Sequence, residues 1–394
     1  MSTIKHIIKT NPALMEYSFK IASLGLKTLG LIIPIKKKRM IFVSLGGRNY
    51  DDSPRELYEY LINRREFSDW EMIWALTNSK HYEIPKARII EFGTLNYWIL
   101  LLSSRVWIGN GGIDMGLDIV RSKSIIVNTW HGTPIKKIQG EENSNQVLKN
   151  YRSNKPIDRF TVRCCQSDYD KEIFARVFHA DKNCFVMSGL PRNDKLLKYT
   201  NADITQIKQR LCISQEKKVI LYMPTYREYQ VNSNDEVFLE PPMNLEKWES
   251  KLSQDYVLLV RAHYAVTKSM DISNNEFVKD VSLYAPLSDL YAVSDILISD
   301  YSSAFFDYAI YGRPLRCFAY DLDKYEQERG FYMDLKRELP CKVYENEDDL
   351  IESIINIDYQ KDSLATMKFA QKYIPNEGMA CKAVAEEIIK RLND

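Results

Sequence analysis

Two histidines in this 394-residue sequence stand where a side chain can do chemistry. His131 lies in Thr129-Trp130-His131-Gly132-Thr133-Pro134, where Gly132 and Pro134 call for a tight turn rather than a core helix. His263 lies in Arg261-Ala262-His263-Tyr264, just past an apolar run and beside a cation. Imidazoles exchange protons near neutral pH, so two of them facing one cleft suit general acid–base work. A lone histidine more often fills a core; His6, His81 and His179, which lack such a setting, read as surface or structural. Other groups near the pair in the pattern suit a phosphate. Ser302 and Ser303 follow Asp300-Tyr301 where a helical pattern begins, so their hydroxyls and the open N–H groups of a first turn would face an anion. The plainer alternative is that one serine only caps the helix. Arg227 and Arg261 offer cations for charge that develops on phosphate oxygens. Lys136-Lys137, at a predicted helix start after Pro134, fits an anionic acceptor, membrane headgroups or plain solvation equally.

Each cluster must be held by an element, and the same kind of element precedes all four. Strands are predicted at Met40–Ser44, Glu71–Leu76, Ala87–Phe92, Val106–Ile108, Ile125–Asn128, Phe160–Arg163 and Cys184–Met187. The series restarts at Lys218–Tyr222, Tyr256–Val260, Phe277–Val281, Ile296–Ser299, Leu315–Tyr320 and Cys341–Tyr344. Helical patterns between them include Ser53–Asn63, with Ser53 as cap and Pro54 first, and Leu95–Ser103. A further one runs from the Ser302–Ser303 turn to Tyr311, closed by Gly312 and Pro314. Strands alternating with helices mean parallel βαβ units. Open sheets of this kind bind ligands beyond the carboxyl ends of their strands. The His131 turn follows Ile125–Asn128, Pro224-Thr225-Tyr226-Arg227 follows Lys218–Tyr222, Arg261–Tyr264 follows Tyr256–Val260, and Asp300–Ser303 follows Ile296–Ser299. A cleft between two such domains would gather all four. The divisions are a basic segment 1–39, a first domain 40–200 and a second domain 201–394, whose last helix could pack back on the first.

Composition excludes several classes. The net charge of +1 gives no footprint for nucleic acid. Seven cysteines at irregular spacing form neither a disulfide framework nor a zinc pattern; adjacent Cys164-Cys165 reads as buried thiols in a reducing compartment. There is no GxxxxGK[ST] loop and no GxGxxG after the first strand. Asp321-Leu322-Asp323 has a metal-pair spacing but lies away from the other clusters, so no essential metal or cofactor is expected. Residues 1–39 carry Lys5, Lys9, Lys20, Lys27, Lys36, Lys37, Lys38 and Arg39 against the single acid Glu16, with apolar residues interleaved. No run there reaches the roughly 18–20 apolar residues that span a bilayer. Either the segment lies on an anionic leaflet or it packs on the body with its basic face solvated.

The motifs resemble one family. Trp130–Ile138 resembles the WHGTPLKKIG motif of the CDP-glycerol glycerophosphotransferases that build teichoic acids and related capsule polymers. Gly189–Asp194 resembles their GxPRND, Tyr222–Glu228 their YxPTYRD, Arg261–Tyr264 their RxHY and Asp300–Tyr308 their DYSSxxFDY. Tyr50–Leu61, Tyr320–Tyr325 and Arg329–Tyr332 also fit. The match covers about residues 40–345, and its ordered, spaced motifs make it specific. The glycine-rich stretches Leu45-Gly46-Gly47-Arg48 and Asn110-Gly111-Gly112-Ile113-Asp114 depart from the pattern, both on the acceptor side.

The resemblance implies an α/β protein of GT-B-like form, two Rossmann-like domains facing across a cleft. It implies transfer of glycerol phosphate or ribitol phosphate from CDP-glycerol or CDP-ribitol to a hydroxyl of a lipid-linked acceptor, with release of CMP at the inner membrane face. It makes His131 and His263 catalytic and puts Thr225, Ser302 and Ser303 on the donor's diphosphate. Arg227, Arg261 and Asp307 join the donor side; Gly132, Lys136 and Lys137 fall on the acceptor side. On this reading His131 takes the acceptor proton, and His263 with Arg227 or Arg261 steadies the leaving phosphate. Two rivals stand beside it: a glycosyltransferase of the same form using a nucleotide-sugar, and a membrane scaffold that binds nucleotide without turnover. The two domains and the basic segment account for the whole reading, which favours few additions over a long polymer.

Overall fold

The structure, a computed structural model, describes residues 12–143, 160–225, 227, 242–262 and 274–394. The first sheet is built from β1 (Lys36–Val43), β2 (Glu71–Leu76), β3 (Ala87–Glu91), β4 (Ser104–Gly109), β5 (Ile125–Asn128), β6 (Val162–Cys165) and β7 (Phe185–Met187). The second is built from β8 (Lys218–Met223), β9 (Tyr256–Val260), β10 (Val278–Asp280), β11 (Ile296–Ser299), β12 (Leu315–Phe318) and β13 (Val343–Tyr344). Every pairing within them is parallel, in the orders β3-β2-β1-β4-β5-β6-β7 and β10-β9-β8-β11-β12-β13. Each of the thirteen strands among the described residues overlaps a strand predicted above.

Those runs are continuous because both faces of each sheet are covered. Alternate residues of β1 go to opposite cores: Met40 and Phe42 to one, Ile41 and Val43 to the other. Val219 and Leu221 of β8 part from Ile220 and Tyr222 in the same way. In each sheet the strand order reverses once, between β1 and β4 and between β8 and β11. Loops at such reversals diverge and leave a crevice beyond the carboxyl ends.

Several boundaries differ from expectation for physical reasons. β1 starts at Lys36, four residues before Met40, because its cations find acids on β2 and its approach. Arg39 is buried against Glu71 (2.8 Å) and Ser103, Lys36 reaches Glu71 at 3.7 Å, and Lys38 pairs with Asp69. The basic run therefore belongs to the sheet rather than to the N-terminal segment. The helix expected from Ser53 is Asp52–Leu61 with Asp51 at its cap, and Ser53 is buried inside it. The helix after Ser303 is only Ala304–Ala309, six residues long.

The N-terminal helix Pro12–Ile32 packs Phe19, Leu26 and Leu29 on the first sheet's core. At the other end of the chain, helix Ala380–Asn393 leaves the second sheet's side and buries Cys381, Val384, Ala385 and Ile388 among Met40, Phe42, Leu57 and Val162. Its first N–H groups are capped across the molecule: Asp194 accepts from Ala380 N (2.9 Å) and Cys381 N (2.8 Å).

Candidate active site

The His131 turn is set by the strand ends beside it. Thr129 N donates to the carbonyl of Gly109 (2.9 Å), stitching the end of β5 to that of β4. Trp130, in the left-handed region at φ 55°, packs edge-on against Phe174 and Phe178, and the His131 ring stacks on it at 4.2 Å. His131 Nδ1 lies 3.0 Å from the carbonyl oxygen of Asn110. A carbonyl only accepts, so in the neutral ring Nδ1 carries the hydrogen and Nε2 keeps its lone pair. His131 keeps an exposed surface. Desolvation by the protein atoms packed around the ring pushes its pKa down, with Arg192 and Lys136 acting the same way; the Asn110 carbonyl and Asp52 oppose it.

The donor-side cluster is built around Asp300, wholly buried at the end of β11. Its carboxylate accepts from Thr225 N (2.9 Å), from Tyr301 N (2.7 Å) and from Arg227 Nη1 (2.5 Å). β8 and β11 are neighbours, so this carboxylate ties together the turns that carry Thr225 and Ser302. Thr225 Oγ1 is buried and makes no hydrogen bond among the described residues. Ser302 Oγ accepts from Ala304 N at 3.2 Å, while Ser303, at the helix cap, makes no side-chain cap bond. A six-residue helix has little macrodipole to offer, so hydroxyls and first-turn N–H groups are what this turn presents.

The two turns meet. Gly132 has φ +136°, and a Cβ there would lie 2.3 Å from Ser303 Oγ and 3.3 Å from Arg192 Nη2. Only a glycine lets the His131 turn approach the serine turn of the other sheet so closely.

Two residues expected to contact ligand, Arg227 and Asp307, are held by protein partners instead. Arg227 is fully buried and already neutralised: Nε and Nη2 form a fork with Asp321 (3.1 and 2.9 Å) and Nη1 serves Asp300. Its guanidinium also lies 4.7 Å from the Tyr320 ring centroid. Burial opposes its charge, but the two carboxylates outweigh that and hold it ionised. Asp321 is thus the ion-pair partner of Arg227. Asp307 is buried and gives its oxygens to Arg192 Nη2 (2.6 Å) and Asn193 Nδ2 (3.0 Å). Arg261 Nη1 donates to the backbone carbonyls of Tyr284 and Val281, an arrangement that orients it. His263 lies outside the described residues.

Lys136-Lys137 is not a helix start. The segment is extended and bridges to the other side: Lys136 pairs antiparallel with Phe331, and Lys137 N donates to Gly330 O (3.0 Å). Lys137 Nζ reaches Asn143 at 3.0 Å. Gly330 adopts φ +76°, a left-handed conformation that favours glycine.

Asp307 belongs to a second set of residues that spans the cleft, whose other members were given no role from the sequence. Arg192 joins Asp52 (3.0 Å) to Asp307 (2.6 Å), one acid from each side. Burial would raise the Asp52 carboxyl, but the charge of Arg192 overrides it and lowers the pKa. Asn193 links Asp307 to Gln166 (3.2 Å), and Gln166 Nε2 reaches Thr133 Oγ1 at 2.8 Å, directly under the His131 turn. The Gly189–Asp194 motif therefore works as a clasp between the sheets. Its position in the crossover stretch, with Arg, Asn and Asp consecutive, was the available signal. Beneath it, burial pushes the Asp170 carboxyl up to about 7.

Most of the chain matches known proteins. The family model described as CDP-Glycerol:Poly(glycerophosphate) glycerophosphotransferase matches residues 26–390. A teichoic acid glycerol-phosphate transferase of Staphylococcus aureus is 34% identical over 378 residues, covering 92% of this chain and 96% of that protein. A teichoic acid poly(glycerol phosphate) polymerase of Bacillus spizizenii is 30% identical over 391 residues, covering 95% and 98%. The solved structure of the wall teichoic acid polymerase TagF, as a histidine-to-asparagine variant soaked with CDPG, superposes with TM-score 0.85 at 28% identity, covering 98% of each chain.

Proposed function

The chain belongs to the CDP-glycerol:poly(glycerophosphate) glycerophosphotransferase family, and from that premise we propose that it moves glycerol phosphate from CDP-glycerol to a hydroxyl of a lipid-linked acceptor, releasing CMP. The observation that carries this reading is the meeting of the His131 turn with the Ser303 turn at Gly132. It puts a proton acceptor from one sheet beside hydroxyls and N–H groups from the other.

The acceptor oxygen attacks the β-phosphorus, the one bearing glycerol. Its proton passes to Nε2 of His131, the nitrogen that the Asn110 carbonyl leaves unprotonated. The bond from the β-phosphorus to the bridging oxygen breaks, and CMP leaves with that oxygen. Ser302, Ser303 and the hydroxyl of Thr225, which has no partner among the described residues, hold the diphosphate. Arg261 and His263 steady charge on the leaving phosphate. Arg227 acts indirectly, as the ion-pair partner of Asp300, whose carboxylate accepts from Thr225 N and holds that residue in place. The asymmetry suits phosphoryl transfer, which needs positioning and charge stabilisation more than covalent catalysis.

The reading includes attachment to the inner membrane face. No helix among the described residues is long and apolar enough to cross a membrane. Helix Pro12–Ile32 exposes Tyr17 (67%), Ile21 (59%), Leu24 (67%) and Leu31 (86%) at helical spacing, opposite the face packed on the sheet. Most nearby described cations are paired, Lys20 with Glu16 (2.7 Å) and Lys27 with Asp118 (2.6 Å). The apolar stripe therefore contributes more to attachment than charge does.

The test is incubation with CDP-glycerol, or CDP-ribitol, and a synthetic lipid-linked acceptor, followed by nucleotide analysis and product mass. CMP release with products heavier by glycerol phosphate units is expected. Nucleotide release only from a nucleotide-sugar would overturn the reading.

A further inference from the structure

We infer that the paired glycine turns after β1 and β4 seat the polyol terminus of the acceptor beside His131; this rests on the transfer reading above. The two turns lie at the strand-order reversal of the first sheet, where a crevice is expected, and the donor motifs fill the equivalent reversal of the second sheet. They are joined to each other: Gly46 N donates to Gly111 O at 3.2 Å, and a Cβ on Gly112 would lie 3.5 Å from Gly46 Cα. Gly46, at φ +66°, and Gly111 have no heavy atom within 4 Å of where a Cβ would stand, so the joined turns present bare backbone to open space.

Asn110 connects this floor to the base. Its carbonyl accepts from His131 Nδ1 (3.0 Å), and its Oδ1 accepts from Leu45 N (2.7 Å). Its Nδ2 is buried and makes no hydrogen bond among the described residues, and the same holds for the hydroxyl of Ser44 at the head of the other turn. Both residues have no exposed surface. Buried polar groups seldom stay unpartnered, and these two belong to the residues that lead into the joined turns. A chain end rich in hydroxyls fits: each hydroxyl both donates and accepts, and a floor without side chains lets it lie close to backbone. Seated there, its terminal hydroxyl is next to the residue that holds the His131 ring.

Gly111→Val tests this, because φ at Gly111 is ordinary and the space is open, so the fold tolerates the side chain. With CDP-glycerol and a synthetic lipid-linked acceptor ending in glycerol phosphate, the acceptor KM should rise at least about tenfold, a typical effect of filling a substrate pocket. Gly111→Ala should give a smaller rise. Donor Kd by calorimetry and the melting temperature should stay at wild-type values in both. An unchanged acceptor KM in Gly111→Val, or an equal loss of donor affinity, would overturn the seat. Failure of the wild-type protein itself to transfer from CDP-glycerol would instead remove the transfer reading, and the seat with it.

Discussion

Replacing Gly132 by alanine tests whether the two turns must touch. The new Cβ would lie 2.3 Å from Ser303 Oγ and 2.5 Å from Ser303 Cβ. Carbon atoms rest about 3.5–4.0 Å apart, so the serine turn or the histidine turn must retreat by roughly 1 Å. The Oγ can rotate away, but the Cβ is fixed to the backbone and cannot. Displacement of about 1 Å near reacting atoms costs on the order of 10²-fold in rate. The backbone resists as well, since φ +136° is costly for alanine, by about 1–3 kcal/mol. The variant should therefore turn over about 10²-fold more slowly and melt somewhat lower. Donor affinity should fall less, because Thr225 and the first-turn N–H groups remain. Turnover of CMP release, donor Kd by calorimetry and thermal unfolding separate these terms. A turnover number within twofold of wild type, in a variant that remains folded, would refute the claim that contact at Gly132 sets the reacting geometry.

His131→Ala should lower turnover by roughly 10²–10⁴-fold, the range of general acid–base catalysis, while donor Kd stays level; full activity would remove His131 as the base. Burial pushes the His131 pKa down, so the acidic limb of turnover should lie below the ordinary histidine value of about 6.5, where protonation removes the base. A limb above that value would contradict the assignment. Ile21→Glu, Leu24→Glu and Leu31→Glu together should release the protein from anionic vesicles in a sedimentation assay, and undiminished binding would refute the apolar stripe as the contact. The Asp170 carboxyl, pushed up to about 7, keeps a proton in the folded state that the unfolded chain gives up near pH 4, so this group lowers stability as pH rises between those values. Asp170→Asn should therefore gain in melting temperature on wild type at pH 8 relative to pH 5, and a pH-independent difference would refute the shift.

The strands among the described residues were legible because the central ones, such as Met40–Val43 and Val219–Tyr222, are covered on both faces and read as apolar runs, and the placement of the motifs after them followed. What was not legible depended on pairing at a distance. Arg227 looks like a phosphate ligand until Asp300 and Asp321, 73 and 94 residues away, are seen to consume its charge. Asp307 reads as a donor contact for the same reason, its Arg192 partner lying 115 residues earlier. The Lys36–Arg39 run does not look like a strand, because its cations need the acids of a neighbouring segment before they can sit in a sheet. Lys136-Lys137 follows a proline and so resembles a helix start, yet the strand-like partner Phe331 decides its conformation. The glycine stretches that departed from the family pattern meet in space, Gly46 N bonding to Gly111 O, while Gly47 is packed tightly against Phe92.

The crossover of helix Ala380–Asn393 has a consequence for biogenesis. The apolar face that this helix covers includes Phe42 and Leu57, made early in synthesis, while its own Val384 and Ile388 emerge more than three hundred residues later. Until then the nascent first sheet carries an uncovered hydrophobic flank, and its completion waits for translation to run past residue 388. A ribosome stalled inside the second sheet would hold a sticky half-product, so nonsense changes late in the message should lead to aggregation or proteolysis rather than to a free-standing first domain.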